Sequence, residues 1–227
     1  MKFESYITEF SRARYGKGIT FVDVDETMFK TFAKVLVKKD GVVVRELDNM
    51  QYNTYKPEEG EEYDFGQFRD AEFFRKTSIP IPKMVARVKK MISQIKSQDT
   101  GSKIVFLTAR GEFRDMGNFY QMFKEHGIGI DRSSVSVCFM REGASSVDRE
   151  KKKSMMEYVE TGEYRRVRLI DDHKPNLKAL REIERELPKE IEQKVIDKYE
   201  LDMTTEKLPP ISFYALWIDA NGNLKKV

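Results

Sequence analysis

The residues best suited to chemistry are two aspartates, Asp23 and Asp25, which follow an apolar run and are separated by one residue. The run is rich in Ile, Val and Phe and predicts a buried parallel strand over 19–23. Such a strand delivers both carboxylates to the edge of the sheet where open α/β folds bind their ligands. Because neighbouring buried carboxylates are costly, a cation, a shared proton or a basic side chain must neutralise them.

Two further apolar runs also end in polar residues. Thr108 and Arg110 close the second run and offer a hydroxyl and a guanidinium, which suit the oxygens of a phosphoryl group. Asp171 and Asp172 close a later run. A second acidic pair at a strand end, added to the first, makes the hard-oxygen site that Mg²⁺ prefers.

A basic segment at 149–154 opens a helix between these two strand ends and carries Lys151, Lys152 and Lys153. One of these lysines could enter the same crevice and balance its negative charge. His173 directly follows the acidic pair and is a candidate for substrate contact. A lysine run is usually a solvated face and an Asp-Asp pair is often a helix N-cap. The polar residues nevertheless follow successive predicted strands in a consistent order, which favours one common site.

The elements that position these residues alternate along the chain. Apolar runs predict parallel strands over 19–23, 103–108, 135–139 and 167–171. Apolar residues at helical spacing predict helices around 84–95, 116–123 and 176–187. A β-rich run at 212–218 and the following Asn221-Gly222 turn predict a last strand with a short hairpin. This alternation is typical of a doubly wound α/β domain.

The segment 31–80, called the insertion below, departs from this alternation. It opens with two β-rich runs around Asp40-Gly41, which is a strong hairpin signal. Aromatic side chains interleaved with polar ones follow from Tyr52 to Phe74. Such a mixture predicts either a small packed cap or a surface that stacks a base and binds phosphates.

The composition of the chain only weakly limits its binding partners and its cellular location. The chain has 41 basic and 38 acidic residues, and a net charge of +3 neither demands nor excludes a nucleic acid. Cys138 is the single cysteine, so a disulfide within the chain is impossible, which fits a reducing compartment. No stretch approaches the roughly 18 apolar residues that cross a bilayer. We therefore expect a soluble, cytoplasmic protein without a membrane partner.

The order of the polar groups resembles the four signature motifs of the haloacid dehalogenase (HAD) superfamily. The matching residues are Asp23, Asp25 and Thr27, then Thr108, then a lysine, then Asp171 and Asp172. The resemblance covers about 15–30 and 100–180. It implies a Rossmann-like three-layer core with a parallel sheet over 1–30 and 81–227. It also implies a small cap, 31–80, between the first and second motifs.

The resemblance implies a role for each matching residue. Asp23 would attack phosphorus and form an aspartyl-phosphate, and Asp25 would protonate the leaving oxygen and later activate water. Thr108 would hold the phosphoryl group. Mg²⁺ would be bound by Asp171 and Asp172 together with Asp23 and the backbone carbonyl of Asp25. Thr27, Arg110 and His173 are the predicted substrate-binding residues.

A further resemblance indicates which of the three lysines belongs to the site. The tract 140–143 and the basic helix start resemble the phosphatase half of phage-type polynucleotide kinase-phosphatases, and matching from there favours Lys153, with Lys152 second. The expected activity is Mg²⁺-dependent hydrolysis of a phosphorylated small molecule, a nucleotide or a 3′-phosphorylated nucleic acid end. The alternatives are a phosphotransferase and a degenerate module that binds a phosphorylated partner without turnover. A receiver-like signalling domain has its motifs in another order.

Overall fold

The computed structural model describes residues 16–113, 115–140 and 146–227. Its strands are, in chain order, β1 (Gly18–Val22), β2 (Phe29–Lys30), β3 (Val35–Lys39), β4 (Val42–Leu47), β5 (Glu61–Asp64), β6 (Ile79–Pro80), β7 (Lys103–Leu107), β8 (Val135–Cys138), β9 (Arg166–Asp171), β10 (Ser212–Ile218) and β11 (Leu224–Lys226). Its helices are α1 (Asn49–Thr54), α2 (Ala71–Thr77), α3 (Pro82–Gln98), α4 (Met116–Glu125), α5 (Val147–Val159), α6 (Lys174–Arg185) and α7 (Lys189–Tyr199). The predicted core segment 1–15 and most of the tract 140–143 lie outside the described residues.

A six-stranded sheet in the order β11-β10-β9-β1-β7-β8 forms the centre of the molecule. Neighbouring strands run parallel except β10 and β11, which form the predicted antiparallel hairpin. The four predicted parallel strands and the predicted last strand are thus confirmed, within about one residue at each end. The chain leaves β1 on one side towards β7 and later returns on the other side through β9. The order of strands therefore reverses at β1, which is where α/β sheets form a ligand crevice.

Helices cover both faces of this sheet, which gives the α/β/α layering. All five residues of β1 are buried, as expected of a strand covered on both sides. Val22 packs in the core beneath α3 and α4, with Met84 and Phe123. Phe21 packs in the opposite core beneath α5, α6 and α7, with Leu180. Within the described ranges, none of the helices combines the length and the apolar character that a bilayer crossing requires.

The insertion folds into a three-stranded antiparallel sheet in the order β4-β3-β5. The predicted hairpin is confirmed, and Asp40 and Gly41 both have positive φ, 51° and 78°, as a tight hairpin turn requires. Three apolar residues of this sheet are buried in a small separate core, against which several of the predicted aromatic residues pack: Val35, Val37 and Leu47, with Tyr52, Tyr55, Tyr63 and Phe68. Part of the aromatic stretch is therefore ordinary packing.

The last part of the insertion belongs, by its packing, to the large core. Ala71 and Phe74 of α2 are buried in the cluster beneath α3 and α4. The Phe74 ring lies 5.7 Å from the ring of Phe119 in α4, and Arg75 pairs with Glu125 at 2.6 Å. The residues of the insertion that pack in the small separate core thus precede α2.

Asp131 organises the loop that leads into β8, and its removal should destabilise the fold. Its Oδ1 accepts hydrogen bonds from the backbone amides of Ser133, Ser134 and Val135 at 3.0, 2.8 and 3.0 Å. Burial tends to raise the pKa of Asp131, but the bonds from Ser134, Val135 and Ser133 hold this pKa well below its ordinary value. We expect Asp131→Ala to lower the free energy of unfolding by about 2 kcal/mol at pH 7, measured by urea denaturation.

The pH dependence of this effect follows from the sign of the shift. A carboxyl whose pKa is lower in the folded state stabilises the fold above its unfolded pKa, about 4, and loses that contribution as the pH falls. The difference between wild type and Asp131→Ala should therefore shrink at pH 3. Asp131→Asn, which keeps one acceptor oxygen, should lose less than Asp131→Ala at pH 7. An equal loss in all these measurements would contradict the assignment.

Candidate functional site

Polar residues from three strand ends meet at the carboxyl edge of the sheet. Asp23 and Thr108 directly follow β1 and β7, and Asp171 ends β9. Their backbone amides extend the sheet ladder: that of Asp23 donates to Ile170 at 3.0 Å, and that of Thr108 donates to Cys138 at 3.1 Å. The side chains of these residues are therefore fixed by the sheet itself. All three residues are buried, with at most 5% of their surface exposed.

Three carboxylates form an acidic cluster here, namely those of Asp23, Asp171 and Asp172, with one oxygen of each within 4.8 Å of the others. Burial raises the pKa of Asp172 to about 6, and the charge of Asp171 adds to this shift. Burial also raises the pKa of Asp23 well above its ordinary value, against the opposing effect of Lys151. The cluster thus holds more negative charge than the side chains around it neutralise.

Neighbouring groups orient the two aspartates at the end of β9. Asp171 accepts hydrogen bonds from the Asn176 side-chain amide at 3.0 Å and from the His173 backbone amide at 2.8 Å. Thr27 is fully buried, and its hydroxyl lies 3.3 Å from Asp172 Oδ1 and 3.2 Å from the Asp172 amide. Thr27 was predicted to bind substrate; in the structure these contacts make it a support for Asp172. His173 is exposed, and it contacts the cluster through its backbone amide.

The lysine at the cluster is Lys151, which corrects the predicted choice of Lys153 or Lys152. Lys151 Nζ lies 2.5 Å from Asp23 Oδ1 and 2.8 Å from Asp171 Oδ2. Burial lowers the pKa of Lys151, but the carboxylates of Asp171 and Asp23 outweigh this and raise it above its ordinary value. Lys151 is therefore a cation shared by two carboxylates.

Helical periodicity explains the correction. Lys151 lies on the same face of α5 as Met155 and Val159, both of which are buried against the sheet. Lys152 is directed instead towards α6, where it pairs with Glu182 and Glu186 at 3.1 and 3.0 Å, and Lys153 is exposed. The spacing of four residues between Lys151, Met155 and Val159 is a sequence signal that could have selected the correct lysine.

Asp25 and Arg110 form a second charged pair beside the cluster. Arg110 Nε lies 3.0 Å from both oxygens of Asp25, and its Nη2 lies 2.6 Å from Oδ1. Burial tends to raise the pKa of Asp25, but the guanidinium of Arg110 outweighs it and lowers that pKa. Arg110 was predicted to contact a phosphoryl group. In the structure its side chain is 1% exposed and contacts Asp25 instead.

The insertion holds Arg110 in this position. Arg110 Nη1 donates to the backbone carbonyl of Phe68 at 3.1 Å. The guanidinium carbon lies 5.0 Å from the ring centre of Phe68, 4.9 Å from that of Phe74 and 5.7 Å from that of Phe113. Three aromatic faces thus favour the cation, two of them from the insertion. The insertion is therefore in direct contact with the residue that binds Asp25.

Sequence reasoning missed several residues that support the site. Asn176 lies one turn into the helix after the acidic pair, so its spacing from Asp171 could have identified it. Trp217, whose Nε1 donates to the Asp172 carbonyl at 2.8 Å, comes from β10. Phe68 comes from the insertion. No local pattern connects these two aromatic residues with the motifs.

The donor set fits a divalent metal ion. Four carboxylates lie at this edge, those of Asp23, Asp25, Asp171 and Asp172. They are paired with two cations, Lys151 and Arg110, so the formal net charge of the group is −2. Carboxylate oxygens are the ligands that Mg²⁺ takes in proteins. Because Asp25 contacts Arg110 through its carboxylate, the three aspartates of the acidic cluster are the residues that could hold the ion. The contribution of the Asp25 backbone carbonyl stays a prediction.

Comparison with protein-family models, with curated proteins and with solved structures finds no match to this chain. The resemblance to the HAD superfamily is therefore a prediction that rests on the order of the motifs.

Proposed function

We propose that the chain is a Mg²⁺-dependent phosphatase of the HAD type, which acts on a phosphomonoester through an aspartyl-phosphate on Asp23. The observation that carries the proposal is the position of Asp23. Its carboxylate lies at the strand-order reversal, 2.5 Å from the buried Lys151 and within the acidic cluster. Nucleophilic catalysis by a carboxylate needs a cationic, water-poor environment of this kind.

The first step forms a bond between an Asp23 oxygen and phosphorus and breaks the bond to the leaving oxygen. A carboxylate that attacks a phosphate dianion meets like-charge repulsion, which Lys151 reduces on the Asp23 side. Mg²⁺ bound by Asp23, Asp171 and Asp172 would supply further screening of the phosphoryl charge. Thr108, buried at the end of β7, offers its hydroxyl to a phosphoryl oxygen.

Asp25 supplies the proton transfers. It gives a proton to the leaving oxygen in the first step, then accepts one from the water that attacks the aspartyl-phosphate, which releases phosphate and restores Asp23. Arg110 holds Asp25 as a carboxylate, the form that accepts a proton. To act as an acid, Asp25 must first carry a proton, which weakens its pair with Arg110. The proposal therefore includes a change in the Asp25–Arg110 contact during turnover.

The insertion acts as the cap in this proposal. Its contact with Arg110 through Phe68 brings it to the site, where a substrate would lie between it and the sheet edge. The proposed substrates are phosphorylated small molecules, nucleotides and 3′-phosphorylated nucleic acid ends.

Phosphate release by the purified chain of residues 1–227 tests the proposal. With Mg²⁺, we expect turnover of p-nitrophenyl phosphate and of at least one member of a panel of nucleoside monophosphates, sugar phosphates and 3′-phosphorylated oligonucleotides. A chelator should stop the release, and added Mg²⁺ should restore it. No release from any of these esters would reject the phosphatase. Phosphate transfer to an acceptor alcohol without release would instead indicate a phosphotransferase.

A further inference from the structure

The insertion contains an open cleft of about 390 Å³ that none of the roles above uses. It lies between β3, β5 and the short 3-10 turn Gly66–Arg69, and is lined mainly by Lys38, Glu62, Tyr63, Asp64, Phe65 and Arg69. This volume falls within the range of about 300–1,000 Å³ that small-ligand sites occupy.

Phe65 provides an aromatic platform in this cleft. Its ring centre lies 5.6 Å from that of Tyr52, 6.0 Å from that of Tyr63 and 6.5 Å from that of Phe68. These neighbours fix the ring, yet Phe65 remains 38% exposed. A rigid aromatic ring that stays exposed suits stacking against a planar heterocycle, because little side-chain entropy is lost on binding.

The polar groups of the cleft indicate the charge of its occupant. Lys38 Nζ and Asp64 Oδ2 form an ion pair at 2.5 Å, and Glu62 is exposed beside them. With Arg69, the lining has two cations and two carboxylates, so the cleft carries no net formal charge to attract a second phosphate or an acidic peptide. A neutral ring that carries both hydrogen-bond donors and acceptors, as a nucleobase does, complements this mixture.

The 3-10 turn Gly66–Arg69 lines the cleft and also contacts a residue of the candidate active site. Phe65 and Arg69 at the ends of this turn line the cleft, while the Phe68 carbonyl accepts from Arg110. Arg69 Nε lies 4.0 Å from the place that a Cβ on Gly111 would occupy. The turn that lines the cleft therefore also contacts Arg110, the partner of Asp25.

We propose that this cleft binds the base of a nucleoside phosphate, with Phe65 as the stacking surface, while the phosphate lies at Asp23. The phosphate end of this assignment rests on the proposed function, whereas the base end rests on the cleft. The base could belong to a mononucleotide or to the terminal nucleotide of a strand.

Calorimetric measurement of ligand binding to the Asp23→Asn variant of residues 1–227, with Mg²⁺ present, tests the base site without turnover. The ligands are adenosine 3′- and 5′-monophosphate, uridine 3′-monophosphate, a 3′-phosphorylated dinucleotide and ribose 5-phosphate. We expect at least one nucleoside phosphate to bind about tenfold tighter than ribose 5-phosphate. Adding Phe65→Ala should weaken that binding by about 5- to 100-fold, and Phe65→Trp should retain it. Leu208→Ala, which shortens an exposed side chain far along the chain, is the matched control.

The outcomes separate the two proposals. Equal binding of ribose 5-phosphate and every nucleoside phosphate, or an equal effect of Phe65→Ala and Leu208→Ala, would overturn the base site even if the wild type releases phosphate. Nucleoside-dependent binding in a chain whose wild type releases no phosphate would support the base site and reject the phosphatase. Tighter binding of the dinucleotide than of the mononucleotides identifies a nucleic acid end as the source of the base.

Discussion

Replacement of Asp23 by asparagine is expected to lower phosphate release by about 10⁴-fold or more. The amide keeps the shape of the side chain but removes the attacking charge, and loss of a covalent nucleophile has effects of this order. Asp23 is 5% exposed and directly follows a buried strand, so the change leaves the surface unaltered. The measurement is kcat on the best ester of the panel, with thermal unfolding to show that the variant is folded.

Asp25→Asn is the matched comparison, because it changes the other aspartate of the same motif. Loss of a general acid costs about 10²–10⁴-fold, and the loss should be smaller for p-nitrophenyl phosphate, whose leaving group needs no proton. Asp23→Asn should be equally severe on all esters. A variant at Asp23 that retains a tenth of the wild-type activity would remove Asp23 from the role of nucleophile.

Replacement of Lys151 by methionine is expected to cost both stability and activity. Methionine fills a similar volume but leaves Asp23 and Asp171 buried without their shared cation. Breaking a buried ion pair by removing one partner costs about 3–5 kcal/mol. We expect a loss of this size in the free energy of unfolding in urea, together with loss of phosphate release.

Lys152→Met is the control for this prediction. Its partners, Glu182 and Glu186, are partly exposed, so the change should cost at most about 1 kcal/mol and leave phosphate release intact. If Lys151→Met proves too unstable to purify, the double variant Asp23→Asn/Lys151→Met removes one of the unpaired charges and should recover part of the stability. Equal stability of the Lys151→Met and Lys152→Met variants would contradict a shared buried cation.

The sequence predicted the centre of the sheet well because strands such as β1 and β7 are short apolar runs covered on both faces. Hydrophobic content alone marks such strands, and β1, with all five residues buried, is the clearest case. The hairpin at Asp40-Gly41 was equally predictable, since few residue pairs adopt positive φ at both turn positions. The packing of α2 into the large core was not predictable. Ala71 and Phe74 resemble the other apolar residues of the insertion, and only tertiary contacts assign them to a core.

The positions of site residues were predictable where a strand end fixes them. The contacts of a long side chain that can reach several partners were not. Asp23, Thr108 and Asp171 follow or end neighbouring strands, so strand order brings them together. Arg110 also follows a strand, but its long side chain can turn towards a ligand or towards Asp25, and the rings of Phe68 and Phe74 favour the second. That preference depends on the fold of the insertion, which no motif encodes.

The Lys151 contacts also bear on how the chain acquires its site. Lys151 and Asp23 are separated by 128 residues, and Arg110 and Asp25 by 85. Loops of this length close late, after local helices and hairpins have formed, because closure costs conformational entropy before the contacts compensate for it. The Lys151 pairs exist only when β1, β9 and α5 have docked, and the Arg110–Asp25 pair only when β1 and β7 have. A nascent chain therefore has no site until the segment beyond residue 171 has been made, and recovery of the site during refolding reports docking of the central strands β9, β1 and β7.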